Sequence, residues 1–242
     1  MKRLALFLLL AGCAPAPLPY EPPVLWTPAA WRSPALSTAP IAPEWWRTWE
    51  DPVLDGLMAR VGGNPTVREA TARIPPDRQP TPTELWTRRA AVVQARAAIA
   101  SAYVRLRAVQ ARGSPDGLAR NALTWQLGLV PGALDAELRS GALPAPPGRV
   151  AAGPPAELAR RRPDIRLAEL ALAAAGPDEA RSAAAAYQNA LLRALTEVDN
   201  AALALAAARD SETTALATIA LYAALGAGWE PPAPSPPGRG PG

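Results

Sequence analysis

Apolar residues recur at three- and four-residue spacing along most of the chain, which is the period of an amphipathic α-helix. The first run carries Leu54, Leu57, Met58 and Val61, and two glycines end it. Later runs also end at Gly or Pro, residues that interrupt a helix interior. The pattern therefore predicts a series of α-helices, with no run of the alternating type that a half-buried strand requires.

Capping residues mark where several of these helices begin. Asn64 stands before Pro65 and predicts a second helix that continues to about Ile74. Residues 81–84 (TPTE) form a capping box with Pro at the first helical position. This box predicts a long helix that reaches about Arg112.

The remaining helices are expected at roughly 114–127, 155–175, 176–208 and 212–225, with an interruption before Pro163 and a short helical turn at 132–138. The sequence PTVREA at 65–70 is similar to PDIRLA at 163–168. This similarity has two interpretations: the body consists of two related halves, or two Ala-rich helix starts coincide by chance.

Composition limits the chemistry that the chain can perform. It contains no His and one Cys, which excludes His-based acid–base catalysis, His-ligated metals and an intrachain disulfide. We therefore expect no enzyme, cofactor or metal. The formal net charge is +4, and the only basic triplet is Arg160-Arg161-Arg162. We interpret this triplet as a solvated helix end and expect no nucleic-acid partner.

The N-terminus has the pattern of a secretion signal, with two basic residues, a short apolar run and small residues before a cysteine. Leu10, Ala11, Gly12 and Cys13 resemble the lipobox of bacterial lipoproteins. That resemblance implies cleavage before Cys13 and acylation of its thiol, and several acyl chains give stable membrane anchoring. The residue after Cys13 is Ala14 and not the Asp that resembles an inner-membrane retention signal, which favours the outer membrane. The alternative is an ordinary secretion signal with a chance cysteine.

These features divide the chain into six predicted segments. They are a lipoprotein signal peptide (1–12), a Pro-rich arm (13–43), a first helical half (44–138), a Pro/Gly linker (139–155), a second helical half (156–226) and a disordered tail (227–242). The arm either runs along the protein body or is a disordered linker. The Trp45/Trp46/Trp49 cluster either packs on the helices, which we favour, or forms a membrane-interface belt.

Several phrases, in order along the chain, resemble the TolC-like outer-membrane efflux proteins, in particular the lipoprotein branch that serves RND-type pumps. The phrases are WWRTW (45–49) with DPVLD (51–55), AYVRLR (102–107), PGALD (131–135), ELARRRPDIR (157–166), LLRALTEVDN (191–200) and LYAALGAGW (221–229). The RRPDIR phrase and the final LY-x-x-LG-x-GW are the most specific of them.

The resemblance implies an all-α fold, an Ala/Leu-rich antiparallel helical bundle like the periplasmic body of TolC-like proteins. It also implies a homotrimer, a periplasmic adaptor, an inner-membrane RND pump and export of drugs or other small molecules. The family's membrane β-hairpins are missing, since only short Pro- or Gly-containing segments occupy 74–84 and 175–180. The chain is thus a shortened form. It is a channel subunit, a non-conducting lipoprotein that binds an adaptor or channel, or a degenerate remnant.

Overall fold

The computed structural model describes residues 27–139 and 141–229, and eight α-helices carry most of them. They are α1 (Pro52–Ala59), α2 (Pro65–Ala72), α3 (Pro82–Ala111), α4 (Gly117–Gln126), α5 (Leu158–Arg161), α6 (Pro163–Ala174), α7 (Ala180–Ala207) and α8 (Ser211–Ala224). Short 3-10 helices lie at Trp45–Trp49, Val61–Gly63 and Pro155–Glu157. Strands β1 (Leu36–Ser37) and β2 (Val150–Ala151) pair in parallel. The predicted all-α class is confirmed.

The long helices form one layer that is four columns wide. Helix α3 packs against α2 and α4 on one side and against α6 and α8 on the other. Helix α7 packs against α6 and α8 at the far side of that column. Because α2 and α4 share one column and α6 and α8 share another, the order across the layer is α2/α4, α3, α6/α8, α7.

The predicted starts of α2 and α3 are confirmed, and the predicted capping residues form both of them. The Asn64 side chain accepts from the Thr66 backbone N–H at 3.0 Å, and the capping box of Thr81 and Glu84 is formed in both directions. The short helical turn predicted at 132–138 is present as a run of turns, in which the Leu138 N–H donates to the Leu134 carbonyl at 2.8 Å. The helix start predicted at 176 is wrong, because residues 176–179 form a turn and α7 begins at Ala180.

The segments where the family's hairpins were expected to be missing join helices directly. Residues 73–81 connect α2 to α3, and residues 175–179 connect α6 to α7, through turns and bends without a strand. The expectation of a shortened helical body is therefore confirmed at both places.

The two halves of the layer are built in the same way at their column junctions. The Asn64 side chain donates to the carbonyl of Gln126, the last residue of α4, at 2.7 Å. The Arg162 guanidinium donates to the carbonyl of Ala224, the last residue of α8, at 2.8 Å. Asn64 and Arg162 both stand directly before the Pro that begins a helix. This correspondence supports the hypothesis of two related halves.

Among residues 27–139 and 141–229, further elements cover one face of the layer, and the other face carries exposed side chains of α3. The 3-10 helix Trp45–Trp49 and α1 lie on the covered face, where Tyr103 of α3 donates to Asp51 at 2.8 Å. The exposed residues Gln94, Arg105 and Arg112 recur at helical spacing on the opposite side of α3. We call that side of the layer the bare face.

The segments that flank the layer also pack on it where the structure describes them. Trp31 donates its indole N–H to the carbonyl of Gly153 at 2.6 Å, and Leu36 is buried. At the other end, Ala227 is buried and the Trp229 ring lies 5.2 Å from the Trp86 ring. The predicted disordered tail is therefore wrong at its start, because apolar burial holds residues 227–229 on the body.

Candidate functional site

Helix α4 carries an apolar stripe on the side opposite its buried side. Leu118 and Trp125 are 88% and 65% exposed, and Ala122 lies between them at helical spacing. Leu129, which is also exposed, follows the Gly128 turn beyond the end of the helix. Leu123, on the inward side of the same helix, is fully buried. A helix that is apolar on both sides is typical of one packed between two partners.

Helix α7, at the other edge of the layer, also exposes apolar residues on its outward side, where Gln188, Thr196 and Asp199 alternate with them at helical spacing. Leu192 and Leu203 are 60% and 59% exposed, and Ala185 and Ala207 lie on the same side of the helix. The opposite side is buried through Leu191, Ala194, Val198 and Ala202. We call the two stripes the α4 edge and the α7 edge.

The two edges form the candidate functional site of the chain. They lie on opposite sides of a single layer, and among the residues that the structure describes each exposes large apolar side chains. Residues 28–32 of the arm lie beside Leu195, Thr196 and Asp199 of α7 and leave Leu192 and Leu203 exposed. Two different surfaces on one molecule can join copies head to tail, and such an arrangement closes into a ring when the rotation permits. The arrangement therefore suits assembly better than catalysis.

A second feature is the buried Arg162 cluster at the α6–α8 junction. Arg162 donates to both oxygens of Asp164 at 2.9 and 2.7 Å and to Glu197 of α7 at 2.6 Å. Burial raises the pKa of Asp164, but the hydrogen bonds and charge of Arg162 outweigh that effect, so its pKa lies below the ordinary value. The cluster ties the start of α6 to α7 and α8.

The interpretation of the basic triplet as a solvated helix end is wrong for Arg162. Its relative exposure is 8%, because the residue faces the end of α8 rather than water. Asp164 is held by Arg162, whereas Arg166 pairs with Glu169. The equivalence of position 162 to the buried Asn64 is the sequence signal that could have identified it.

The tryptophan cluster packs inside the protein. Trp45, Trp46 and Trp49 are 1%, 2% and 5% exposed, and the Trp45 ring stacks on Tyr222 of α8 at 4.6 Å. The guanidinium of Arg96 lies 4.4 Å from the centre of the Trp46 ring. Packing, the interpretation favoured from the sequence, is confirmed over a membrane-interface belt.

A hydrogen-bonded chain joins α1 to the middle of α3. One oxygen of Asp51 caps α1, and the other accepts from the Tyr103 hydroxyl at 2.8 Å. Arg107 donates to the same hydroxyl oxygen at 3.0 Å. Burial is the main cause that raises the pKa of Tyr103 to about 12. The Asp51 carboxylate also raises this pKa, and the hydrogen bond from Arg107 lowers it. The Asp51, Tyr103 and Arg107 side chains in this series hydrogen-bond to one another, so the series stabilises the fold rather than binding a substrate.

The predicted lipid-attachment site lies outside the described residues. Leu10, Ala11, Gly12 and Cys13 all precede residue 27, so their assignment stays a prediction. Across residues 27–139 and 141–229, no cluster of three acidic, His or Cys residues is placed to hold a metal ion. In the same part of the chain, no helix combines the length and the hydropathy that crossing a bilayer needs.

A comparison with solved structures defines the class of the fold. The chain has a TolC-like helical fold and is similar to a structure described as the outer-membrane channel OprN. The TM-score is 0.64 at 17% sequence identity, and the alignment covers 88% of this chain and 99% of that chain. No family model matches the chain, and a search of curated proteins finds no match.

Proposed function

We propose that the chain is an outer-membrane lipoprotein subunit of a tripartite RND-type efflux system that exports drugs or other small molecules. The observation that carries the proposal is a layer with a TolC-like helical fold and, among the described residues, exposed large apolar side chains at each edge. A layer of this kind is a wall segment that needs neighbouring copies. In this role the chain conducts solutes and performs no chemistry.

Pairing of the α4 edge of one copy with the α7 edge of the next would build the wall. With the homotrimer that the family resemblance implies, three layers of four columns form a ring of twelve. At about 10 Å between helix axes the ring is about 38 Å across, which leaves a lumen of about 28 Å. In this ring the bare face lines the lumen. The covered face points outward, because the 3-10 helix and α1 that lie on it would fill a lumen of that width.

The N-terminal arm connects this body to the membrane in the proposal. Acylated Cys13 inserts into the outer membrane from the periplasmic side, and the chain after it leads to the arm segment at Trp31 and Leu36, which packs on the body. The body then stands below the membrane, where a periplasmic adaptor and an inner-membrane RND pump complete the system.

A disulfide experiment tests the assembly directly. In a Cys13→Ser background, Trp125→Cys and Leu203→Cys variants are purified separately in detergent, mixed and oxidised. Head-to-tail edges predict disulfide-linked dimers in the mixture, linked dimers and trimers in the double variant, and no linked species in either single variant alone. Gln94→Cys, on the bare face, is the control and should not crosslink to either partner. Linked dimers in a single variant, or none in the mixture, would contradict the edge pairing.

A cellular experiment tests export. Deletion of the gene should raise drug sensitivity, and a plasmid copy should restore resistance, while Trp125→Lys and Cys13→Ser copies should restore less. Mass spectrometry of the purified protein should show acyl groups on Cys13. An unmodified thiol would contradict the anchor, and unchanged sensitivity would contradict the export role.

The direct connections at residues 73–81 and 175–179 favour a second candidate, a non-conducting helical lipoprotein that binds an efflux adaptor or channel. In vivo crosslinking should then recover one of those partners although drug sensitivity is unchanged. Recovery of neither partner, together with rapid loss of the protein in cells, would indicate a degenerate remnant.

A further inference from the structure

A small cavity opens on the bare face where the start of α6 meets the end of α8. Its volume is about 170 Å³. The lining residues are Ala90, Val93, Gln94, Arg162, Pro163, Asp164, Ala223 and Gly226. Most of this wall is apolar, and Arg162 and Asp164 are its only charged members.

The two charged residues that line the cavity are paired with each other, and a second carboxylate outside the lining shares the same guanidinium. Arg162 faces both Asp164, which lines the cavity, and Glu197, which does not, so this cluster of three groups holds one more negative than positive charge. Arg162 donates four hydrogen bonds to Asp164, Glu197 and the Ala224 carbonyl, and its side chain is 10% exposed. It is therefore poorly placed to bind an anion. The Asp164 side chain is 44% exposed, and its carboxylate has about four acceptor sites, of which Arg162 takes two and the Ile165 backbone N–H takes another.

We propose that this cavity is a binding site for a small organic cation, with the Asp164 carboxylate as its counter-ion and Ala90, Val93 and Ala223 as its apolar walls. The size fits this class of ligand, because a cavity of about 150 Å³ can hold a molecule such as benzene. An apolar wall with one carboxylate favours an alkylammonium group over a strongly hydrated metal ion.

The equivalent junction in the first half has no such site. There Asn64 and Thr66 take the places of Arg162 and Asp164, so the α2–α4 junction is held by neutral hydrogen bonds. At these two positions the second half has charged residues and the first half has neutral ones. The inference does not depend on the proposed channel, although in that assembly the cavity would face the lumen.

The test is titration of the purified, acylated full-length protein in detergent at low salt with tetramethylammonium, followed by amide chemical shifts. The wild type should bind saturably, with shifts centred on Asp164, Ala223 and Gly226. The neutral tert-butanol molecule, of similar shape, should bind at least tenfold more weakly. Ala223→Leu, which fills the cavity and leaves every charge in place, should abolish binding.

The matched pair Asp164→Asn and Glu197→Gln separates contact from distant charge. Each removes one negative charge next to Arg162, but only Asp164 lines the cavity. Asp164→Asn should weaken binding about tenfold or more, since a charge in contact acts at about 4 Å, and Glu197→Gln should change it by less than about threefold. Equal losses in the two variants, equal binding of tert-butanol, or no saturable binding by the wild type would overturn the proposal.

Discussion

The close approach of Gly128 to the start of α2 leads to a sharp prediction about the column junction. Gly128 ends α4 with φ +67°, and a Cβ atom placed there would fall on the carbonyl oxygen of Gly63, well inside the 3.0 Å that real Cβ atoms respect. Gly113 ends α3 with φ +66°, and a Cβ atom there would have no atom within 4 Å. The two glycines therefore have matched backbone conformations and different surroundings.

The caps at the two positions are also matched in their hydrogen bonds. Gly113 donates to Gln110 at 3.0 Å and Gly128 donates to Trp125 at 3.0 Å. The next residues donate five positions back, at 3.2 and 2.9 Å. Alanine at either position costs about 1–2 kcal/mol for the left-handed backbone. Gly128→Ala adds an overpacking cost of about 1–3 kcal/mol, since the carbonyl that it meets belongs to the backbone.

Urea unfolding followed by circular dichroism measures the difference between the two variants. Gly128→Ala should be less stable than Gly113→Ala by about 2 kcal/mol, which for a chain of this size corresponds to about 4–8 °C in Tm. Equal destabilisation within about 0.5 kcal/mol would show that α4 does not end against α2. The reasoning about both column junctions would then fail, since Gly226 contacts Arg162 in the corresponding way.

Two further predictions concern ionisable groups on α3. Hydrogen bonds from Arg78, then from the Thr81 backbone, lower the pKa of Glu84 to about 2. The stabilisation that Glu84 gives to the helix cap is therefore complete above pH 4.5 and is lost as the pH falls toward 2. Carbon NMR titration should show this pKa and its rise in the Arg78→Ala variant, and an unchanged pKa in that variant would contradict the pairing. Tyr103→Phe leaves Asp51 and Arg107 each without one partner and should cost about 1–3 kcal/mol in urea unfolding, whereas a loss below 0.5 kcal/mol would contradict the buried chain.

The sequence by itself determined the helices and most of their starts. The Asn64 and Thr81 caps act within three residues of the chain, so their effect can be read locally, and both form as predicted. The turn at 176–179 was mistaken for helix because Gly-Pro followed by acidic residues is a start signal whose exact position local rules do not fix. The outward stripe of α4 was also readable, since Leu118, Ala122 and Trp125 follow helical spacing.

Only the tertiary structure decided which of these surfaces is buried and which polar residues meet. Arg162 lies 35 positions before Glu197 and 62 before Ala224, so no local pattern could show that a residue in a basic triplet is enclosed by them. The outward stripes of α4 and α7 became edges only once α3 and the α6/α8 column filled the space between them. Periodicity shows that a helix has an apolar side, but the long-range packing of the other columns decides whether that side faces the core, another copy or water.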